Sequence, residues 1–149
     1  MTVALSREPS PAILWLLDAN VISELARSHP EPQVERLFQQ HQSELALPAP
    51  VWHELNYGLL RLPEGARKAR LLAFLQRVCG TLPKLPYDEA AAMIHAQLRA
   101  ESAARGRVLP FADAQIASVA IAQGCTLVTR NAKDFADVPG LRWVNWFSN

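Results

Sequence analysis

The run Ile13-Leu14-Trp15-Leu16-Leu17 stops abruptly at Asp18. It is too short for an ordinary helix, and without alternation it does not suit a strand that is wet on one face. It fits a central parallel strand covered on both sides. Parallel strands need crossovers, and the rest of the chain supplies them as amphipathic helical segments between short apolar runs. This alternation predicts an α/β fold, an α/β/α sandwich around a mainly parallel, roughly five-stranded sheet with right-handed crossovers.

The further elements can be read in order. Asn20 is placed to cap a helix carrying Val21, Ile22 and Leu25. Glu31 to Gln42 reads as an amphipathic helix with Pro32 in its first turn. Leu45 to Leu47 is a short strand, followed after Pro48 and Pro50 by a helix that turns Val51, Leu55, Leu59 and Leu62 inward. Glu64 to Val78 is helical, with a basic face. Leu82 to Pro86 suits only a sheet edge, because its prolines cannot donate to a ladder. Asp88 to Ala104 is an alanine-rich helix stopped by Gly106, and Pro110 opens another that ends at Gly124. Thr126 to Thr129 and Leu141 to Val144 supply the last strands.

Composition narrows the class. The chain has 149 residues, half of them hydrophobic, which suits one domain with a real core. Residues 1–11 are expected to form a flexible leader and 12–149 the folded domain. Lys plus Arg number 15 against 14 for Asp plus Glu, so a polyanion must be met by a local patch rather than by net charge. Cys79 and Cys125 match no zinc or redox spacing and read as buried, reduced thiols. With no apolar run long enough to span a bilayer and no signal-peptide core, the expected location is the cytoplasm.

Chemistry is concentrated in Asp18, Glu54 and Asp113, with the polar cluster from Thr129 to Phe135. Each lies where a segment is expected to reach the carboxyl edge of the sheet, the usual ligand site of open α/β folds. Carboxylates brought together there repel unless a cation lies between them. Oxygen ligands that also leave room for water and phosphate suit Mg²⁺ or Mn²⁺, and so point to phosphate chemistry.

Four segments carry a resemblance: Leu17-Asp18-Ala19-Asn20-Val21-Ile22-Ser23-Glu24, Glu54-Leu55-Asn56-Tyr57-Gly58, Asp113-Ala114-Gln115-Ile116-Ala117, and Leu127-Val128-Thr129-Arg130-Asn131 with Asp134-Phe135. Their order resembles that of PIN-domain ribonucleases, in the VapC/FitB-like toxin branch of type II toxin–antitoxin systems, over roughly residues 13–147. The resemblance implies a PIN-like nuclease fold and a Mg²⁺-dependent endoribonuclease (Mn²⁺ also suitable) leaving 5′-phosphate and 3′-hydroxyl ends. It also implies a VapB/FitA-like antitoxin, a homodimer, and contact with operator DNA only through the antitoxin. Asp18, Glu54 and Asp113 match the family's three principal metal-site acids. The fourth position falls to Asn131, where many members carry Asp, or to Asp134 a turn later. The metal set is therefore Asp18, Glu54, Asp113, Asn131 and Asp134, the catalytic set Asp18, Glu54, Asp113 and Asp134, and the substrate set Thr129 and Arg130.

Structural roles compete at each place. Asp18 and Asp113 suit helix starts, Glu54 an exposed helix face, and Asn131 with Asp134 the spacing of a capping box. Glu24 reads as part of a solvated face, and His29, His41, His53 and His95 as surface or packing residues. The basic group Arg61, Arg67, Lys68, Arg70 and Arg77 reads as a wet helix face or a phosphate-binding rim. Trp52, Tyr57 and Leu59 to Leu62 suit core packing or a groove for an antitoxin helix. Two other functions share these features. One is a binding module that keeps the fold and the antitoxin contact but has lost catalysis through Asn131. The other is a phospho-acceptor signalling domain built on Asp18, which wants a second acid beside Asp18 and a lysine after a late strand.

Overall fold

The computed structural model describes residues 12–147; the expected leader, residues 1–11, lies outside them. Five parallel strands form one sheet: β1 (Trp15–Leu17), β2 (Leu45–Pro48), β3 (Lys84–Leu85), β4 (Thr126–Val128) and β5 (Arg142–Val144), in the order β3-β2-β1-β4-β5. The uninterrupted apolar run is the central strand, and the proline-flanked one lies at an edge. Leu16 stands opposite Ala46 on one side and Leu127 on the other. All three are fully buried. Burial of each such leucine contributes about 1.5–3 kcal/mol. The paired residues of β1 begin at Trp15; Leu14 at its entrance is 44 % exposed, although its N–H donates to the Glu44 carbonyl and its carbonyl accepts from Thr126 N–H.

Seven helices connect the strands: α1 (Ala19–Leu25), α2 (Pro32–Gln40), α3 (Ala49–Leu60), α4 (Ala66–Cys79), α5 (Glu89–Ala104), α6 (Phe111–Gln123) and α7 (Ala132–Phe135). The α1 cap differs from expectation. Asp18, in extended conformation, caps it by accepting from the Ala19 N–H, whereas Asn20 lies inside the helix. Ala114, Ile116, Ala117, Ser118, Val119 and Ala120 of α6 are all buried, so this helix is covered nearly all round. The small side chains permit close approach of α5 and the sheet. The Ser118 hydroxyl, buried among them, is satisfied by the Ala114 carbonyl at 2.6 Å. Gly124 ends α6 in the left-handed region (φ 67°), where a side chain would be strained.

The ladder runs one residue past the central strands. Asp18 N–H donates to the Val128 carbonyl (2.9 Å) and Thr129 N–H to that of Val144 (3.0 Å). Strand order changes direction at β1, so the crevice between the ends of β1 and β4 is the topological switch point. Cys79 and Cys125 are unpaired and buried, and burial pushes the Cys79 thiol up to about 11. No helix among the described residues is long and apolar enough to cross a membrane.

Candidate active site

At that crevice, Asp18, Asn20, Glu54, Asp113, Arg130 and Asn131 line one open pocket of about 640 Å³. Each arrives by a different route. Asp18 ends β1 and Arg130 follows β4. Glu54 projects from the second turn of α3, which starts directly after β2. Asp113 lies in the first turn of α6, whose N-terminus meets the carboxyl edge and whose dipole favours an anion.

Asp18 is fixed most firmly. It is 7 % exposed. One carboxylate oxygen accepts from Ala19 N–H (2.8 Å) and the other from the Thr129 hydroxyl (2.8 Å) and the Asn20 amide (3.3 Å). Thr129 is completely buried, and its oxygen accepts from Asn131 N–H (3.0 Å). It therefore ties the end of β1 to the turn after β4 and does not present its hydroxyl at the surface. Asn20 completes this brace. Its amide also reaches the Thr129 oxygen (3.4 Å), while its carbonyl accepts from Arg130 N–H (3.1 Å). Sequence reading had made Asn20 a cap; the signal for its actual role was its position two residues after the strand-ending acid.

The electrostatics are those of acids that are desolvated and repel one another. Burial raises the Asp18 carboxyl above its ordinary value despite its hydrogen bonds, and the nearby Asp134 charge adds to the effect. Glu54 is exposed in the open pocket, as its helix position suggests; partial desolvation and then the Asp18 charge raise its carboxyl, with His53 acting the other way. Asp113 is pushed up to about 6 by burial, then by Asp18, Asp134 and Glu54. Among the described residues, no three His, Cys, Asp or Glu side chains are gathered closely enough to hold a metal ion as they stand. Mg²⁺ nevertheless keeps several waters and takes one or two carboxylates directly. A mutually repelling set of oxygen donors, open to solvent, fits such an ion without a closed cage.

Asn131 and Asp134 separate here. Asn131 lines the acidic pocket. Asp134 is exposed on α7 and lines a neighbouring cavity of about 210 Å³ with Arg107, Lys133 and Asp137, so it reaches the pocket by its charge. The capping box does not form, since Asn131 makes no side-chain cap and only its carbonyl accepts from Asp134 N–H.

Glu24 overturns its reading as a solvated residue. It is 4 % exposed and accepts from Arg27 Nη1 through both oxygens (3.1 and 3.0 Å) and from Glu31 N–H (2.9 Å). Burial alone would raise its carboxyl, but the Glu31 N–H and Arg27 outweigh this and hold it below the usual range. The signal in the sequence was an acid three residues before an arginine, at a helix end followed by Pro30. Two of the histidines take packing places, His95 against Tyr87 and Phe111 and His41 between Trp15 and Trp146, whereas His29 and His53 are exposed.

Comparison with known proteins agrees with this geometry. Residues 15–141 match the family model of the PIN domain. A tRNA(fMet)-specific endonuclease VapC of Shigella flexneri is 33 % identical over 134 residues, covering 89 % of this chain and 97 % of the relative. A VapC ribonuclease of Sinorhizobium fredii is 35 % identical over 137 residues, covering 87 % and 95 %. Among solved structures, DNA-bound VapBC from Salmonella typhimurium superposes with a TM-score of 0.81 at 28 % identity, covering 90 % of this chain and 98 % of that one. The central parallel sheet, the acids at its carboxyl edge and these relatives agree: the chain belongs to the PIN-domain family, in its VapC/FitB ribonuclease branch.

Proposed function

We propose that this protein is the toxin of a type II toxin–antitoxin pair, an endoribonuclease that hydrolyses RNA phosphodiesters with Mg²⁺ or Mn²⁺. The observation carrying this reading is the convergence of Asp18, Glu54 and Asp113 from three elements into one open pocket, where nearby acids raise one another's pKa. These three would hold the ion, with Asn131 beside them. When bound, the metal lowers the pKa of an attacking water and offsets charge on the scissile phosphate.

The chain's own residues supply the rest. Thr129 and Asn20 hold the Asp18 carboxylate in one orientation, so it is preorganised as a ligand. The negative charge of Asp134 keeps the neighbouring acids receptive to a cation from outside the pocket. Arg130, on the rim, meets the RNA backbone.

The antitoxin would lie in an adjoining cleft between α1, α3 and α4, walled by Ile22, Leu55, Leu62, Leu71 and Phe74. Glu54 lines both this cleft and the acidic pocket. An amphipathic segment in the cleft could place a basic side chain against Glu54 and Asp113, competing with the metal. The purified chain is expected to cut RNA in Mg²⁺ or Mn²⁺ and to stop on chelation. Sequencing of RNA ends after brief induction then identifies the target. Undiminished cleavage in chelator would overturn the metal mechanism, and no cleavage under any condition would overturn the nuclease.

A further inference from the structure

The acidic pocket continues past its rim into a second open recess beneath the α1–α2 connection, and Glu24, Arg27 and Arg130 line both. Arg27 and Arg130 are well exposed, with side chains 63 % and 59 % accessible. They converge on one buried carboxylate: Arg27 Nη1 at 3.0 Å and Arg130 Nη1 at 4.0 Å from Glu24. The Arg130 guanidinium also lies over the Phe147 ring, 4.7 Å from its centre. Glu31 and Glu35 also line the recess, so the positive charge is confined to the outward faces of the two guanidiniums, each of which contacts Glu24 through Nη1 alone. Their remaining N–H groups stay available to an anion, and guanidinium forks match phosphate oxygens in pairs.

We propose that Glu24 is a positioning residue that holds Arg27 and Arg130 as a two-cation clamp for an RNA phosphate adjacent to the one being cleaved. The inference rests on the ribonuclease reading and deepens it. Acids at the pocket floor repel an approaching backbone, and a metal relieves this only at the scissile position. With 15 basic and 14 acidic residues, the whole chain provides no compensating field. A neighbouring phosphate needs cations at the rim, and this pair stands there. The buried carboxylate keeps both arginines at the rim, where they would otherwise spread into water.

A purely structural Glu24 would do no more than fasten the end of α1 to the segment before α2, through its bond to Glu31 N–H. Three variants of the full chain separate the roles. Binding of a fluorescein-labelled oligouridylate is followed by anisotropy in chelator across a KCl series, and cleavage of bulk transfer RNA is followed in Mn²⁺. Arg27→Ala and Arg130→Ala are each expected to weaken binding roughly tenfold, as loss of a charge-assisted contact does. Each should also lower the slope of log K against log salt by about 0.7, the value for one phosphate contact on a single strand.

Glu24→Gln keeps an acceptor for Glu31 N–H but loses the charge that gathers the arginines. It is expected to raise KM severalfold with kcat and melting temperature nearly unchanged. It should add little in an Arg27→Ala background, because the two act as one unit. Arg27→Lys, charged but unable to fork, should recover the salt slope and only part of the affinity. Arginine variants with the wild-type slope and KM would overturn the clamp while wild-type cleavage leaves the nuclease standing. A Glu24→Gln that melts earlier with an unchanged KM would reduce Glu24 to a structural tie. A wild type that neither binds nor cuts RNA would sink both.

Discussion

Asp18, Glu54 and Asp113 on the pocket floor and Glu24 on its rim are carboxylates of the same sheet edge in opposite environments. The floor acids gather with no basic side chain among the causes that lower Asp18 or Asp113, and their pKa values rise. Glu24 is as little exposed as Asp18 but lies nearer the periphery, and it holds an arginine and a backbone N–H that bring its carboxyl below its ordinary value. Low exposure alone therefore does not decide the sign: deep burial outweighs the neutral donors around Asp18, whereas Arg27 and the Glu31 N–H outweigh the shallower burial of Glu24. Under the proposed function, a floor left unmatched by the protein would take an external cation, whereas the rim, where the carboxylate is already matched, would turn its arginines toward an anion.

The largest way to break this contrast is Asp113→Asn. Cleavage is expected to fall to the level of chelated wild type, while the metal-free melting temperature rises because one repelling charge is gone. A variant that melts lower and still cuts would show that Asp113 is held by structural contacts. Next in size is Thr129→Val, which nearly preserves volume but strips the hydroxyl bridging Asp18 and Asn131 N–H. It should cost about 1–3 kcal/mol in denaturant melts and about 10–100-fold in cleavage rate. Thr129→Ser should recover most of both; if it does not, the methyl matters more than the bridge.

The pH response follows from Asp113 at about 6. Below that pH the metal-free carboxyl takes a proton that competes with the ion, so at subsaturating Mg²⁺ cleavage is expected to fall by up to about tenfold per unit, and saturating Mg²⁺ should move the fall to lower pH. Stability of the metal-free protein runs the other way. Between the ordinary value of 3.8 and about 6 the folded state binds more protons than the unfolded one, so this group's contribution declines as pH rises and is lost above 6. Saturating Mg²⁺ should flatten that decline. A metal-free stability that climbs through the same window would contradict the unmatched floor.

The smallest effects concern the fourth position. Asp134→Ala should raise the Mg²⁺ concentration for half-maximal activity a few-fold, through charge alone. Asn131→Ala should leave stability within about 0.5 kcal/mol, since no side-chain cap is lost. A larger stability loss would restore the capping role.

The elements were largely legible in the sequence because each buried strand is a short apolar run bounded by proline, glycine or an acid. The proline-flanked segment found its edge for the same reason: a residue without N–H cannot sit inside a ladder. What escaped was side-chain partnership across the chain. Nothing local to Asn20 announces Thr129, 109 residues away, and nothing local to Glu24 announces Arg130. Glu24 looked wet because glutamates on short helices usually are. Spacing along a turn brings Asp134 near the site, where its charge acts on Asp18 and Asp113, but does not give the face to which its side chain turns, and it lines the neighbouring cavity.

The hydrogen-bond ladder that passes through Asp18 and Thr129 has a consequence for exchange with solvent. Amides in a central sheet open only with the whole domain, whereas loop sites fluctuate separately. The deuterium uptake of these two N–H groups should therefore track global unfolding, slowest among the residues around the crevice. Under the proposed function, a reaction centre whose floor is also the last rung of its sheet would not be switched off by local melting. On that reading, control would come from something that covers the pocket or competes for its acids.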